Sequence, residues 1–466
     1  MRIPLCSGSG AFAVRSRIAW AALSVRVSTT APPHGRRSGV GCPSPCFRPQ
    51  PFLAVSLPRI PVRPVWRAHA GTMGPMDFAA QRHALVAQLR TSQDVSEPVA
   101  EAMLAVPRHL FVPGVEPEAA YRDEPIVTKL DDDGRPISSS SQPAIMATML
   151  DQLRVAPGHR VLEIGAGTGY NAALLSRLVG PGGRVVALDL DEDTVEQARQ
   201  HLAAAGVSGV EVVCRDGAGG HPGLAPYDRL IATVGVWDLA PAWLAQLGPD
   251  GRLVVPLDLR GVQVSAAMER DGGRWVSRSV APCGFMRMRG SFTGTEAVAV
   301  VRQDPFLALV LPEQREVGDV LAALNAPPTE ITVRRAEKAA SLTVAMGMAL
   351  WLALHEPRWC AVSGDLGGGP GFTAGIVQPD GIAVLSVDGS LVARGHGAGR
   401  ARLAAELAAH VKAWDEAGRP EASALHIAAY PHAPGLGEPA VHESGAWSGR
   451  TVVIEKRHTT LVLGFG

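Results

Sequence analysis

Val161-Leu162-Glu163-Ile164-Gly165-Ala166-Gly167-Thr168-Gly169-Tyr170 reads as a buried strand, a tight turn and the start of a helix. The apolar run ends at an acid, glycines then alternate, and a helical pattern from Tyr170 to Val179 begins at once. A turn built this way lacks Cβ atoms where a ligand can approach the backbone closely. A dinucleotide fingerprint would place its third glycine three residues after Gly167. That position is Tyr170, which argues against a nicotinamide cofactor.

Working outward, the strand-like runs Arg184 to Leu188, Val210 to Cys214, Tyr227 to Thr233 and Gly251 to Pro256 alternate with helix-like runs Thr194 to Ala205 and Pro241 to Leu247. Such alternation specifies the α/β class with a doubly wound, mostly parallel sheet. Val262 to Met268 and Arg274 to Val280 flank Asp271-Gly272-Gly273 and read as a closing antiparallel hairpin. Upstream, Phe78 to Leu89 and Val99 to Val106 have helical spacing, and Pro107 ends the second. A polar loop, Lys129 to Pro136, and a serine run precede a helix that Pro143 opens and that reaches about Leu153. Beyond about Gly290 the rhythm changes. Ala297 to Arg302, Ile331 to Arg335, Ile382 to Val387 and Thr451 to Glu455 read as strands, Ser341 to His355 and Gly399 to Glu416 as helices, and Gly364 to Gly371 is glycine-rich.

The Glu-x-Gly-x-Gly-x-Gly form, with Glu163 at the strand end and Gly165, Gly167 and Gly169 in the turn, resembles motif I of class I methyltransferases. An acid suits a sulfonium cofactor carrying an amino group better than it suits a pyrophosphate. Asp189 closes the second strand, where a carboxylate can accept from ribose hydroxyls. Asp216-Gly217 follows the third strand, where the resemblance implies contacts to adenine. The implied cofactor is S-adenosyl-L-methionine.

Other segments narrow the resemblance. Val106-Pro107-Arg108-His109-Leu110-Phe111-Val112-Pro113, Ala120-Tyr121, Ser141-Gln142-Pro143, Gly217-Ala218-Gly219-Gly220, Ala225-Pro226-Tyr227-Asp228 and Gln246-Leu247 are similar to the protein-L-isoaspartate O-methyltransferases, from about Met76 to Pro256. That family implies methyl transfer to a carboxylate of a protein or peptide, with Ser141 facing the acceptor. A carboxylate is ionised at neutral pH, so alignment and removal of water suffice without a strong base. Arg108 and His109 read as structural. The acidic loop, Ser138 to Ser141 and the extra C-terminal residues also resemble long members tied to ribosomal-peptide maturation, in which an ordinary Asp of a precursor is the acceptor. Nucleic-acid methylation is disfavoured: Thr233-Val234-Gly235-Val236 stands where an Asn/Asp-Pro-Pro-aromatic motif would follow the fourth strand, and Pro282-Cys283 comes too late to be a cytosine nucleophile.

The expected organisation has three parts. Residues 1–75 are a disordered leader or a mis-assigned start, 76–290 a methyltransferase domain, and 300–466 a smaller α+β accessory domain. Lys plus Arg and Asp plus Glu balance at 44 each, but ten Arg and no acid lie before Met76, leaving an acidic body. The balanced charge gives no reason to expect nucleic acid, and no run reaches 18 apolar residues, so neither nucleic acid nor a membrane is an expected partner. Cys214, Cys283 and Cys360 lack metal-ligand spacing and read as reduced thiols of a cytoplasmic protein.

Overall fold

The computed structural model describes residues 78–131, 136–295, 297–334, 341–366, 370–387, 390–432 and 451–466. The expected leader lies outside these, as do part of the polar loop after Lys129, Arg335 and the middle of the glycine-rich stretch. The described residues begin with helices α1 (Phe78–Ser92), α2 (Glu97–Ala105) and α3 (Pro117–Ala120). A hairpin, β1 (Ile126–Leu130) and β2 (Pro136–Ser140), precedes α4 (Pro143–Leu153). Next come β3 (Arg160–Ile164), α5 (Tyr170–Val179), β4 (Arg184–Asp189), α6 (Glu192–Ala204), β5 (Val210–Cys214) and β6 (Tyr227–Ala232). They are followed by α7 (Pro241–Gln246), β7 (Leu247–Leu259), β8 (Val262–Asp271) and β9 (Arg274–Pro282).

The sheet order β5-β4-β3-β6-β7 is parallel throughout, and β8 and β9 continue it antiparallel. The chain enters at β3, winds outward through β4 and β5, then returns through β6 and β7 on the other side. This reversal opens a crevice beyond the carboxyl ends of β3, β4 and β6, the usual ligand position in such sheets. β3 and β4 are buried on both faces, which is why their inner residues are apolar apart from the strand-end acid Glu163. One face is covered by α1, α2, α4, α5 and α6, whose apolar stripes form one core.

The remaining residues, expected as an accessory domain, divide between two sheets. β10 (Ala297–Arg302), β11 (Leu307–Leu311), β12 (Thr329–Arg334), β13 (Trp359–Asp365), β14 (Pro370–Gln378), β15 (Gly381–Val387) and β16 (Leu391–Gly397) make a seven-stranded antiparallel sheet. Helices α8 (Val320–Asn325), α9 (Ser341–His355) and α10 (Arg400–Glu416) accompany it. The last strands, β17 (Leu425–Pro431), β18 (Val452–Glu455) and β19 (Thr459–Phe465), instead join the first sheet, β17 pairing with β9. Without them β9 would present an open edge. α9 packs on β13 and β14 of one sheet and on β7 and β8 of the other. Its apolar residues run around the whole cylinder because both sides are covered. One apolar core is therefore continuous from Leu162 through Met348 and Trp359 to Leu461.

The β7–β8 turn shows how closely the sheets fit. Arg260 and Gly261 both have positive φ, 61° and 96°, as a two-residue hairpin turn requires. The carbonyl of Arg260 accepts from Trp359 Nε1 at 3.0 Å. A Cβ on Gly261 would stand 3.2 Å from the same indole. No helix of the described residues is long and apolar enough to cross a membrane.

Candidate active site

The glycine turn sits at the carboxyl end of β3, and its backbone is left-handed at Gly165, Gly167 and Gly169, with φ of 97°, 51° and 84°. A Cβ on Gly165 would also meet Val234 Cγ1 at 2.8 Å. Two constraints therefore require glycine there: dihedral and space. Gly169 lets α5 start against α6, where its Cβ would lie 3.3 Å from Ala198.

Glu163, the strand-end acid, is fully buried. Its Oε1 accepts from Asn171 Nδ2 at 2.8 Å, while Oε2 has no hydrogen-bond partner. Burial pushes its pKa up to about 8, with Asn171 and the Thr233 hydroxyl opposing and nearby Asp189 adding to the shift. Asp189 closes β4 and folds back over the turn: Oδ2 accepts from the Gly167 amide at 3.0 Å and Oδ1 from the Asp191 amide at 3.3 Å. Thr233, after β6, donates to the Gly165 carbonyl at 2.6 Å.

Ser138, Ser139 and Ser140 form β2, with Ile126 opposite Ser140 and Val127 opposite Ser139. This hairpin is held at both ends. Lys129 Nζ reaches Asp191 Oδ1 at 2.7 Å and Asp193 Oδ2 at 3.0 Å. Arg108, fully buried, donates to the carbonyls of Ala120, Arg122, Glu124 and Ser141 at 2.8, 3.1, 3.2 and 3.0 Å. His109 bonds Tyr121 Oη at 2.8 Å and stacks on Phe78. Arg108 thus fixes the backbone of Ser141, and His109 is tied to Tyr121 and Phe78.

A cavity of about 690 Å³ brings Ser138 to Ser141 together with Glu163, Gly165, Gly167 and Asp189. Gly169, Asp216 and Gly217 do not line it. Asp216 accepts from Ala218 N and from both N and Oγ of Ser291, at 3.0, 3.0 and 2.8 Å. Burial opposes its ionisation, but the bonds from Ser291 and Ala218 outweigh burial and hold the carboxyl below the usual range. Gly217 is pinned by Trp243 Nε1, 2.7 Å from its carbonyl, and a Cβ there would strike Ile164.

The family model for protein-L-isoaspartate (D-aspartate) O-methyltransferase matches residues 80–291. The protein-L-isoaspartate O-methyltransferase of Methanopyrus kandleri is 38% identical over 216 residues, covering 46% of this chain and 93% of that protein. This chain belongs to the protein-L-isoaspartate O-methyltransferase family. Enzyme 2 of that name from Archaeoglobus fulgidus is 35% identical across 96% of its length and 47% of this chain. A solved protein-L-isoaspartate O-methyltransferase is 26% identical with a TM-score of 0.45, covering 74% of this chain and 96% of its own. The fold is the class I methyltransferase sheet of this family, extended by the C-terminal strands.

Sequence reasoning missed part of this methyltransferase site. Asn171 follows Gly169 by two positions, and a polar residue in the first turn of a helix facing a strand-end acid was a readable signal. Lys129 carried none, because its partners lie 62 and 64 residues away. The far wall of the cavity, from Val310 to Ser423, lies beyond the matched residues.

Proposed function

We propose that this protein transfers a methyl group from S-adenosylmethionine to the free carboxylate of an isoaspartyl residue in a protein or peptide. The observation that carries this is the single cavity shared by the acid–glycine turn and the serine strand. The donor set suits a sulfonium cofactor with an amino group. Glu163 offers an unpartnered buried oxygen, Asp189 a second carboxylate at the cavity wall, and the turn exposes backbone free of Cβ. When bound, this cofactor supplies an electrophilic methyl group on positively charged sulfur.

The chain's own residues then have distinct tasks. Glu163 faces the cationic end, Asp189 the ribose hydroxyls, and Gly165 and Gly167 give close approach. Gly169 seats α5. Asp216 and Gly217, with the loop at Ser291, are assigned by family resemblance to the adenine end. Ser141 donates its hydroxyl to one oxygen of the acceptor carboxylate and leaves the other aligned for attack. Exclusion of water from this cavity strengthens a nucleophile that is already ionised. The near full-length relatives favour isoaspartyl residues over an ordinary Asp of a precursor peptide. Repair of such damage in the cytoplasm is the role proposed with this chemistry, in keeping with the free thiols Cys214, Cys283 and Cys360.

Incubation with S-adenosylmethionine and matched isoaspartyl and aspartyl peptides tests the reading. The isoaspartyl peptide should gain a methyl ester that releases methanol at mildly alkaline pH. Ser141→Ala should lower turnover roughly tenfold or more, about 1.4 kcal/mol in the barrier, with S-adenosylhomocysteine affinity within about twofold. A base-stable product would sink the carboxylate reading. Full turnover in the variant would remove Ser141 alone.

A further inference from the structure

The cavity does not end at the methyltransferase core. Its far wall comes from the C-terminal segment: Met346 and Leu350 of α9, Trp359 and Ser363 of β13, and Phe372 of β14. Val264 of β8 also lines it. Leu350, Trp359 and Val264 are 3%, 0% and 1% exposed, so an apolar group placed among them leaves water almost completely. The charged residues Arg287 and Glu421 also line the cavity without changing this character. Arg287 bonds Asp258 Oδ2 at 2.7 Å, and Glu421 is exposed to solvent.

We propose that this compartment binds a large apolar side chain on the residue next to the acceptor in the substrate chain, making the C-terminal segment a specificity determinant. The inference rests on the isoaspartyl reading above and deepens it. Its geometric warrant is continuity. Neighbouring residues of an extended peptide lie about 3.8 Å apart at Cα. Ser141 and the C-terminal wall line one cavity, so a carboxylate held at Ser141 leaves its neighbour's side chain to continue along that cavity. Its chemical warrant is the wall: a leucine, methionine or phenylalanine gains by burial there. A lysine or aspartate set among Leu350, Trp359 and Val264 would leave water for a wall that offers its charge no partner. The segment lies outside the matched residues 80–291, so this preference belongs to this chain.

The test uses the full chain, S-adenosylmethionine and isoaspartyl peptides that differ only in the flanking residue. The leucine peptide should exceed the glycine peptide at least tenfold in kcat/KM, and a lysine peptide should fall below glycine. Ser363→Phe and Met346→Trp each place a ring in the compartment, and either should bring the leucine-to-glycine ratio close to one. Anisotropy of labelled peptides with S-adenosylhomocysteine present gives the same ratio without chemistry. A wild-type ratio near one, or a ratio that survives both fillings, overturns the proposal. If one variant does not fold, the other and the wild-type ratio decide. If neither peptide is methylated, the carboxyl-transfer reading fails by itself. The binding ratio then still decides for or against the compartment.

Discussion

Glu163 holds an ionisable group where water cannot reach it, and this gives the site a pH signature. Folded, it keeps its proton up to about pH 8, whereas an unfolded glutamate releases it near about pH 4.3. Between these limits the native state binds the extra proton. Stability must then fall as pH rises, by up to about 1.4 kcal/mol per pH unit for this one group. Glu163→Gln removes the titration and keeps an acceptor for Asn171 Nδ2. In urea melts the variant should gain on the wild type steadily from pH 5 to pH 8. A difference that does not change with pH would mean that the native carboxyl is already ionised. The same residue should lose its proton when a cation arrives. Calorimetry at pH 7 in buffers of different ionisation enthalpy should show nearly one proton released on S-adenosylmethionine binding.

At the level of elements, the serine strand depends on one arginine. Arg108 satisfies four carbonyls, three between Ala120 and Glu124 before the hairpin and that of Ser141 after it. Lysine cannot span this fork, because its single ammonium lacks the planar donor array. Arg108→Lys should lower the melting temperature and reduce methyl transfer roughly tenfold or more, an effect of about 1.4 kcal/mol on the barrier. S-adenosylhomocysteine affinity should change by no more than about twofold, since the glycine turn has its own supports. A variant that melts early yet turns over normally would deny Arg108 any positioning role. The contrast with β3 shows what a sequence can disclose. Arg160 to Ile164 was readable because a strand buried on both faces is mostly apolar, here Val161, Leu162 and Ile164 around the single acid Glu163. Ser138 to Ser140 has no such pattern, and its pairing with Ile126 to Lys129 is held by Arg108 and Lys129. Glu163, the glycines and Asp189 could be read because ligand approach imposes residue types locally. The tethers of Ser141 could not, because they join segments distant in sequence.

Across the whole molecule, the last strands complete the first sheet, and this decides whether the C-terminal segment can be removed. No local periodicity announces that Ile427 donates to Ser277 Oγ across 150 residues. A domain boundary near residue 290 was therefore the natural expectation from rhythm alone. In the folded chain, Asp238 is fully buried, and its carboxylate accepts from His458 N and Thr459 Oγ1, both at 2.6 Å. Lys456, nearly buried, donates to the Asp258 carbonyl at 3.1 Å and lies over the Trp237 ring. A chain ending at Thr295 would strip these donors from Asp238 and uncover the apolar face formed by Leu257, Val264 and Met268, which belong to the shared core. Each hydrogen bond lost by a buried group costs about 1–3 kcal/mol, more where the group is charged. Typical domains have only about 5–15 kcal/mol of stability in total. The shortened chain should therefore be aggregated or bind a hydrophobic dye, without a cooperative melt, although it retains every residue of the family match. Thr459→Val, which removes one donor and little volume, should lose about 1–3 kcal/mol in urea melts. A shortened chain that is monomeric, melts cooperatively and binds S-adenosylhomocysteine as the full chain does would show that the C-terminal strands only lie against the sheet and do not hold it together.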